Sequence, residues 1–354
     1  MTALTVLTVP ALQDDANLRP LPWRRMAWVT WRQHRTALAG VAALLGALAV
    51  YLWLAGLQLH HAYAAAMAFH PAGSIACGDL ITALTGDNGF LTNGLLLQAV
   101  PALIGAFVGA PVLARELESG TIRYAWTQGF ERGRWALAKL ILLAVAVTTA
   151  AGAISVMFSW YYQPYFPTGN QALSFSKEVP YQASPFAHGL FDLRGVSVAA
   201  WTLAAFAIGA LAGMLIRRVV PAIVTALVVY AGLVIAAGAF LRQHYLAPLV
   251  TSNLNVPGSA WIMSQQWTTK SGHHPVSSSV LGQVLQGTKF SGGGGVPQSL
   301  LAWQALVQHG YVQVTTYQPA DRFWTFQWIE AGWLLLLATV LLAATVWLVR
   351  RRSV

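Results

Sequence analysis

Long apolar segments separated by polar ones dominate the chain. Six segments carry no charged residue and have the length of roughly 20 residues that a helix needs to cross a bilayer. They are residues 36–59, 94–113, 140–160, 196–216, 219–241 and 331–349. The fourth and fifth segments meet at Arg217 and Arg218, so we expect a helical hairpin there. The pattern predicts an all-α membrane protein with six transmembrane helices.

A short amphipathic stretch, residues 23–35, precedes the first span and follows a predicted cytoplasmic tail, residues 1–22. We expect a helix in the membrane interface, with aromatic groups at headgroup depth and arginines toward anionic lipid. A basic flank that only fixes the orientation is the second interpretation, and the two are compatible. A helical wheel separates apolar from basic side chains: Trp23, Met26 and Trp31 against Arg25 and Arg32.

The large segment between the fifth and sixth spans, residues 242–330, has its own pattern. Residues 299–309 have one apolar face and predict a short helix, and residues 311–317 alternate like a strand. We expect this segment to form a small cap over the outer mouth of the protein rather than a separate domain.

Composition and charge support a membrane protein. The chain is 56% hydrophobic and 9% charged, whereas soluble domains carry about 25% charged residues. Of the 21 lysines and arginines, 15 lie in the segments on the side of the two termini, including the tail 350–354. The positive-inside rule therefore predicts that both termini are cytoplasmic. The net charge of +10 is then a topology signal, and we expect no nucleic-acid partner.

The sequence lacks the motifs of the common hydrolytic and nucleotide-binding sites. It contains no His-Glu-x-x-His, no Gly-x-Ser-x-Gly and no phosphate-binding Walker loop. The single Cys77 excludes an intrachain disulfide and a thiolate cluster. His60, His61 and His70 lack a cluster of acids nearby, so we expect no metal site. These observations favour a non-catalytic subunit with no cofactor of its own.

Two patterns within the spans are candidates for packing and gating. Glycines at four-residue spacing let helices approach closely, and packing within the chain or a seam between two copies are both open. Glu330 lies at the outer edge of the sixth span, where a carboxylate stabilises the positive end of a helix. We favour this anchoring role over a role as exit gate or substrate contact. The glycines are Gly105 and Gly109 in the second span and Gly209 and Gly213 in the fourth.

Charge is concentrated between the second and third spans. Residues 109–139 hold eight of the 32 charged residues of the chain. Gly120 followed by Thr121 can open a short helix, and Gly129 can end it. We expect Glu116 or Glu118 to pair with nearby arginines. The segment 114–139 therefore predicts a helical elbow at a membrane face, and a solvated connector is the alternative.

The order Glu116-x-x-x-Gly120-Thr121 resembles the first cytoplasmic loop of permease subunits of type-2 ATP-binding-cassette (ABC) exporters. Residues 317–324, YQPADRFW, followed by Gln327 and Glu330, resemble such permeases from high-GC Gram-positive bacteria. The resemblance implies a coupling helix that docks on an ATPase, and an N-terminal elbow helix. The coupling residues would be Glu116, Glu118, Gly120, Thr121, Arg123, Tyr124 and Gln128.

The resemblance also implies partners and a location. Two permeases, most simply a homodimer, would work with two ATPase subunits that bind ATP and Mg²⁺, in contact with lipids of a bacterial plasma membrane. Spans without buried charge suit a lipid-like, amphipathic or drug- or peptide-type substrate better than an ion. The main alternative is a membrane sensor or immunity subunit that pairs with an ATPase without net transport. An intramembrane enzyme is disfavoured by the missing catalytic groups.

Overall fold

In a computed structural model the chain forms a bundle of long helices with a small sheet at one end. The described residues are 23–69, 89–120, 132–163, 184–186, 190–252, 256, 259–269, 275–287 and 298–351. The helices are α1 (Trp23–Phe69), α2 (Gly89–Ile104), α3 (Pro111–Glu118), α4 (Arg132–Tyr161), α5 (Leu190–Leu193), α6 (Ser197–Ile216), α7 (Val219–Ala236), α8 (Ser278–Gly287), α9 (Gln298–Gln308) and α10 (Phe323–Arg351). The strands are β1 (Leu249–Thr251), β2 (Trp261–Thr269) and β3 (Tyr311–Gln318).

Six helical stretches in the described part of the chain are long and apolar enough to cross a membrane, which confirms the predicted number of spans. A π-helical turn, Gly105–Gly109, joins α2 to α3, and a second one, Ala237–Leu241, extends α7. Pro111 has no N–H, so the carbonyl of Phe107 loses its α-helical donor, and the wider turn lies directly before this proline. The stretches are Leu38–Ala62, Leu97–Glu118, Gly133–Tyr161, Ser197–Ile216, Val219–His244 and Ala320–Arg351.

The first span and the expected interfacial helix are one continuous helix. α1 begins at Trp23 and ends at Phe69, so no boundary occurs near residue 36 and the helix continues past residue 59. Residues 23–39 contain neither glycine nor proline, so nothing in the backbone chemistry interrupts the helix there. The prediction of a separate interfacial helix is therefore corrected to an N-terminal extension of the first span.

α6 is the central helix of the bundle. It packs against α2, α3, α4, α7 and α10, and most of its residues are buried. Its sequence is rich in alanine and glycine, and these small side chains let neighbouring helices approach its backbone closely. α7 lies at the periphery and exposes apolar side chains such as Val224, Val228 and Ile235.

The segment 242–330 contains a three-stranded antiparallel sheet with the strand order β1–β3–β2. Leu249 pairs with Tyr317, and Trp261 pairs with Gln318. The all-α prediction is correct for the spans and needs correction here. β3 was predicted from its alternation, whereas β2 gave no signal because most of its side chains on both faces are partly or fully exposed. β1 has only three residues, too few for a periodic pattern.

α10 begins at Phe323, eight residues before the predicted start of the sixth span at residue 331. Gln327 and Glu330 interrupt the apolar run without interrupting the helix. Exposed Trp328 and Trp347 are 19 residues apart. At 1.5 Å per residue they are separated by about 28 Å, close to the thickness of the hydrocarbon core. Because α10 begins at Phe323, Glu330 lies two turns inside this helix and not in its first turn.

The bundle has two different ends. The loop end carries the C-terminus of α3, the N-terminus of α4, the α6–α7 turn and the C-terminus of α10. The sheet end carries α5, the three strands and the N-terminus of α10. Exposed arginines of the described helices and turns are concentrated at the loop end: Arg115, Arg134, Arg217, Arg218, Arg350 and Arg351.

Candidate functional site

The three predicted coupling residues that the structure describes lie at the loop end. Glu116 and Glu118 are in α3, and Gly120 follows with a left-handed φ of +69°. A side chain on Gly120 would meet no atom within 4 Å, so glycine serves the backbone conformation there and not the available space. The remaining predicted coupling residues lie outside the described residues: Thr121, Arg123, Tyr124 and Gln128.

Glu116 and Lys139 form a buried ion pair that joins α3 to α4. Lys139 Nζ lies 2.6 Å from Glu116 Oε1, and the lysine side chain is 1% exposed. Nζ also lies 5.1 Å from the ring centre of Trp135. The expected arginine partner of Glu116 is therefore a lysine. Since Glu116 precedes the loop and Lys139 follows it, the pair holds the two flanks of the loop together.

Glu118 joins the same loop to α7. Its Oε2 accepts a hydrogen bond of 3.0 Å from the backbone N–H of Val219, the first residue of α7. A carboxylate at this position satisfies a helix N–H that has no partner within the helix, and it complements the positive end of the helix dipole. The preceding turn is tight, and Arg217 adopts a left-handed φ of +59°. The base of the loop therefore contacts α4 through Glu116 and α7 through Glu118.

The four predicted packing glycines face one another between the α2–α3 segment and α6. A Cβ atom on Gly105 would lie 2.6 Å from the carbonyl oxygen of Ala205, and one on Gly109 would lie 2.6 Å from that of Phe206. Gly209 is in equally close contact with the Gly105 carbonyl, and Gly213 with that of Ala110. In this structure the glycines serve packing within the chain, because each is blocked by backbone of the same molecule.

The predicted interfacial residues all lie in α1. Trp31 and Arg32 are exposed, and the Arg32 guanidinium lies 5.4 Å from the ring centre of Trp28. The side chains of Trp23, Arg25 and Met26 are outside the described part of the structure.

Glu330 is the centre of a buried polar network at the sheet end. Its carboxylate is fully buried and forms a two-point ion pair with Arg242, with Nε 3.1 Å from Oε2 and Nη2 2.9 Å from Oε1. Trp201 Nε1 donates to Oε1 at 2.8 Å, and the Tyr245 hydroxyl donates to Oε2 at 3.2 Å. Each carboxylate oxygen thus accepts two hydrogen bonds, which is nearly its full capacity.

Arg242 connects this network to α5. Its Nη2 also donates to Asp192 Oδ1, and its guanidinium carbon lies 4.2 Å from the ring centre of Phe191. Burial, together with the nearby carboxylate of Glu330, raises the pKa of Tyr245 above its ordinary value, so the hydroxyl stays protonated and donates. We name the three ionisable residues Asp192, Arg242 and Glu330 the Asp–Arg–Glu triad.

A cavity of about 400 Å³ lies between α2 and α7 and reaches the triad. Residues 98–102 of α2 and residues 227–235 of α7 contribute most of its wall, and Asp192 and Trp201 form its polar end. We name it the α2–α7 cavity. Its size is within the range of small-molecule sites. Glu330 is fully buried behind this wall, so it does not contact the cavity directly.

Other candidate chemistry is sparse in the described residues. The His60 ring stacks on Trp160 at 4.8 Å between centres, and its Nε2 lies 3.1 Å from the Trp160 carbonyl oxygen. Among the residues the structure describes, no three His, Cys, Asp or Glu side chains are grouped as metal ligands.

Several residues of these clusters were not identified from sequence. The sequence assigns no site role to Lys139, Asp192, Arg242 or Tyr245. A usable signal exists for two of them, because Lys139 directly precedes one predicted span and Arg242 directly follows another. A charge next to the hydrocarbon either faces the headgroups or is paired inside the protein. Nothing in the sequence distinguishes these two cases.

The fold agrees with the result of comparison with known families. The sequence model of the family described as "ABC-2 membrane transporter related" matches residues 42–242, more than half of the chain. The match contains both flanks of the loop, the packing glycines, Asp192 and Arg242. No curated protein and no solved structure matches the chain. The six apolar spans and the extent of the family match together show that the chain belongs to the ABC-2 membrane transporter related family.

Proposed function

We propose that the chain is the permease subunit of an ABC exporter in a bacterial plasma membrane. Two permeases, most simply two copies of this chain, assemble with two ABC ATPase subunits that bind and hydrolyse ATP. Both termini and the loop end are cytoplasmic, and the sheet end forms the outer cap. The chain moves an amphipathic, lipid-like or drug- or peptide-type substrate and is not itself an enzyme. Family membership supports the ATPase partner, and the exposed arginines at the loop end support the orientation.

One observation carries this proposal: the α2–α3 segment reaches both candidate sites. Its residues 98–102 line the α2–α7 cavity, and its C-terminal residues Glu116 and Glu118 anchor the base of the loop. The π-helical turn Gly105–Gly109 lies between these two regions. A force on the loop would reach one wall of the cavity through α2–α3, and the opposite wall through the contact of Glu118 with α7. This linkage is what a permease driven by a separate ATPase needs.

Glu330 fits this scheme as a support of the outer cavity wall. An exit-gate role requires the triad to open during transport, since Glu330 is fully buried in the present conformation. That role stays a prediction.

Gly120→Val should abolish co-purification with the ATPase while the permease remains folded. A β-branched residue at a positive φ costs on the order of 1–3 kcal/mol and would displace the start of the loop. Affinity purification after co-expression with ABC ATPases of the source organism measures the effect. Gly310→Val is the matched control, because Gly310 has a φ of +85° and equally open space but lies at the sheet end. Equal ATPase recovery with wild type and Gly120→Val would contradict a docking role for the loop.

Reconstitution of the ATPase complex in liposomes distinguishes a transporter from a sensor. We expect ATP-dependent, vanadate-sensitive movement of at least one probe from a set comprising a cationic dye, an anionic dye and a fluorescent phospholipid. ATP hydrolysis that responds to the permease but moves none of the probes would favour the sensor or immunity subunit.

A further inference from the structure

The α2–α7 cavity has apolar and aromatic walls and one charged end. Of the described residues that line it, Asp192 alone is ionisable to a carboxylate, and none is a lysine or an arginine. Tyr230 and Trp201 contribute aromatic rings that meet edge to face, with their centres 5.8 Å apart. A bound molecule would therefore meet hydrocarbon, aromatic surface and a single acidic group.

The hydrogen bonds of the triad leave the Asp192 carboxylate incompletely satisfied. Oδ1 accepts from Arg242, whereas the partner of Oδ2 is Gln98 Nε2 at 3.5 Å, the upper limit of hydrogen-bond distance. Glu330 is fully buried, and each of its carboxylate oxygens accepts two hydrogen bonds, whereas the Asp192 side chain is 18% exposed. The free acceptor capacity of the triad is thus at Asp192, a residue of the cavity wall.

The formal charge of the triad also favours a bound cation beside Asp192. One guanidinium is shared by two carboxylates, so the group carries a net charge of −1 when all three members are ionised. In a medium of low dielectric constant such an excess charge attracts cations strongly and repels anions. A network that served stability alone would gain from equal numbers of charges. The excess is located beside a cavity large enough for a ligand.

We propose that the α2–α7 cavity binds apolar monocations, with the positive group against Asp192 Oδ2 and the apolar body along α2 and α7. The rings of Tyr230 and Trp201 add attraction to a cation through their π faces. This inference rests on the proposed function, since it names the substrate class of the same permease. Apolar ammonium and phosphonium ions are the chemistry that it selects, and apolar anions of equal size are excluded.

Equilibrium dialysis of the purified permease, without ATPase, tests the inference with two probes of nearly equal shape and opposite charge. Tetraphenylphosphonium should bind saturably, and tetraphenylborate should bind at least tenfold more weakly. Asp192→Asn keeps the shape of the side chain and removes its charge, and it should weaken phosphonium binding at least tenfold. Asp321→Asn, at an exposed position near the start of α10, should leave binding unchanged.

A second variant and the unmodified protein keep the test decisive if Asp192→Asn fails to fold. Ala102→Phe fills the cavity while leaving the triad intact, and it should abolish phosphonium binding. Equal affinity of wild type for both probes, or phosphonium binding unaffected by Ala102→Phe, would overturn the inference. Because dialysis needs no ATPase, failure here leaves the permease proposal standing. If the wild-type chain binds phosphonium normally but co-purifies with no ATPase, the permease proposal alone is refuted.

Discussion

Arg242→Met is expected to lower the free energy of unfolding by about 3–5 kcal/mol, because it leaves the fully buried carboxylate of Glu330 and the partly buried one of Asp192 without their shared cation. Arg242 is 4% exposed, and Glu330 is fully buried, so water cannot replace the lost partner. Trp201 and Tyr245 still donate to Glu330, but neutral donors do not neutralise its charge. The apparent melting temperature of the purified protein in detergent measures the effect.

The double variant Arg242→Met/Glu330→Gln should recover part of this loss. The amide removes the buried charge that the single variant leaves unpaired, so the two changes are not additive. Arg115→Met serves as the control, since Arg115 is exposed and its removal should change stability by less than about 0.5 kcal/mol. If Arg242→Met melts at the wild-type temperature, the triad does not hold the sheet end together.

Gly209→Ala is expected to destabilise the bundle by about 1–3 kcal/mol, because the added methyl group overpacks the contact between α6 and the α2–α3 segment. The new methyl group would lie 2.7 Å from the backbone nitrogen of Ala110 and closer still to the carbonyl oxygen of Gly105. Both neighbours are backbone atoms, so the α2–α3 segment must move away from α6 as a whole. Thermal unfolding in detergent is the measurement.

Gly152→Ala in α4 provides the matched control for Gly209→Ala. Its Cβ atom would meet nothing within 4 Å, and alanine is favoured over glycine in a helix by roughly 1 kcal/mol. We therefore expect Gly152→Ala to melt at or above the wild-type temperature. The same response in both variants would contradict the close contact between the α2–α3 segment and α6.

The spans were predictable from sequence because an apolar run of bilayer length has few stable structures other than a membrane-spanning helix. Their ends were less predictable, as α10 illustrates. Residues 323–330 are helical but include Gln327 and Glu330, whose partners come from distant parts of the chain. Gln327 accepts from the backbone N–H of Ser197 and donates to the carbonyl of Phe191. Because Gln327 and Glu330 are polar, the predicted span starts only at residue 331. Their burial and pairing allow the helix to start earlier, at Phe323.

The candidate site was only partly predictable for a related reason. The spacing of Gly105 and Gly109 indicated close helix packing, but the partner helix is determined by tertiary structure. Glu330 is noticeable because it stands beside a long apolar run, whereas its partner Arg242 is 88 positions away in sequence, and Asp192, the second partner of Arg242, is 50 positions from Arg242. Ion pairs across such separations leave no local pattern. The cavity likewise lies between α2 and α7, which are distant in sequence, so no single segment encodes it.

The proposed function requires that ATPase binding at the loop end changes the α2–α7 cavity at the other end. The most direct measurement is the distance between spin labels on Ala99→Cys in α2 and Ala231→Cys in α7, in a background where the single Cys77 is replaced by serine. Both positions line the cavity and are exposed, so the labels need not disturb the packing. We expect the distance distribution to shift when the ATPase complex is trapped with ATP and vanadate. An identical distribution in the nucleotide-free and trapped complexes would contradict it.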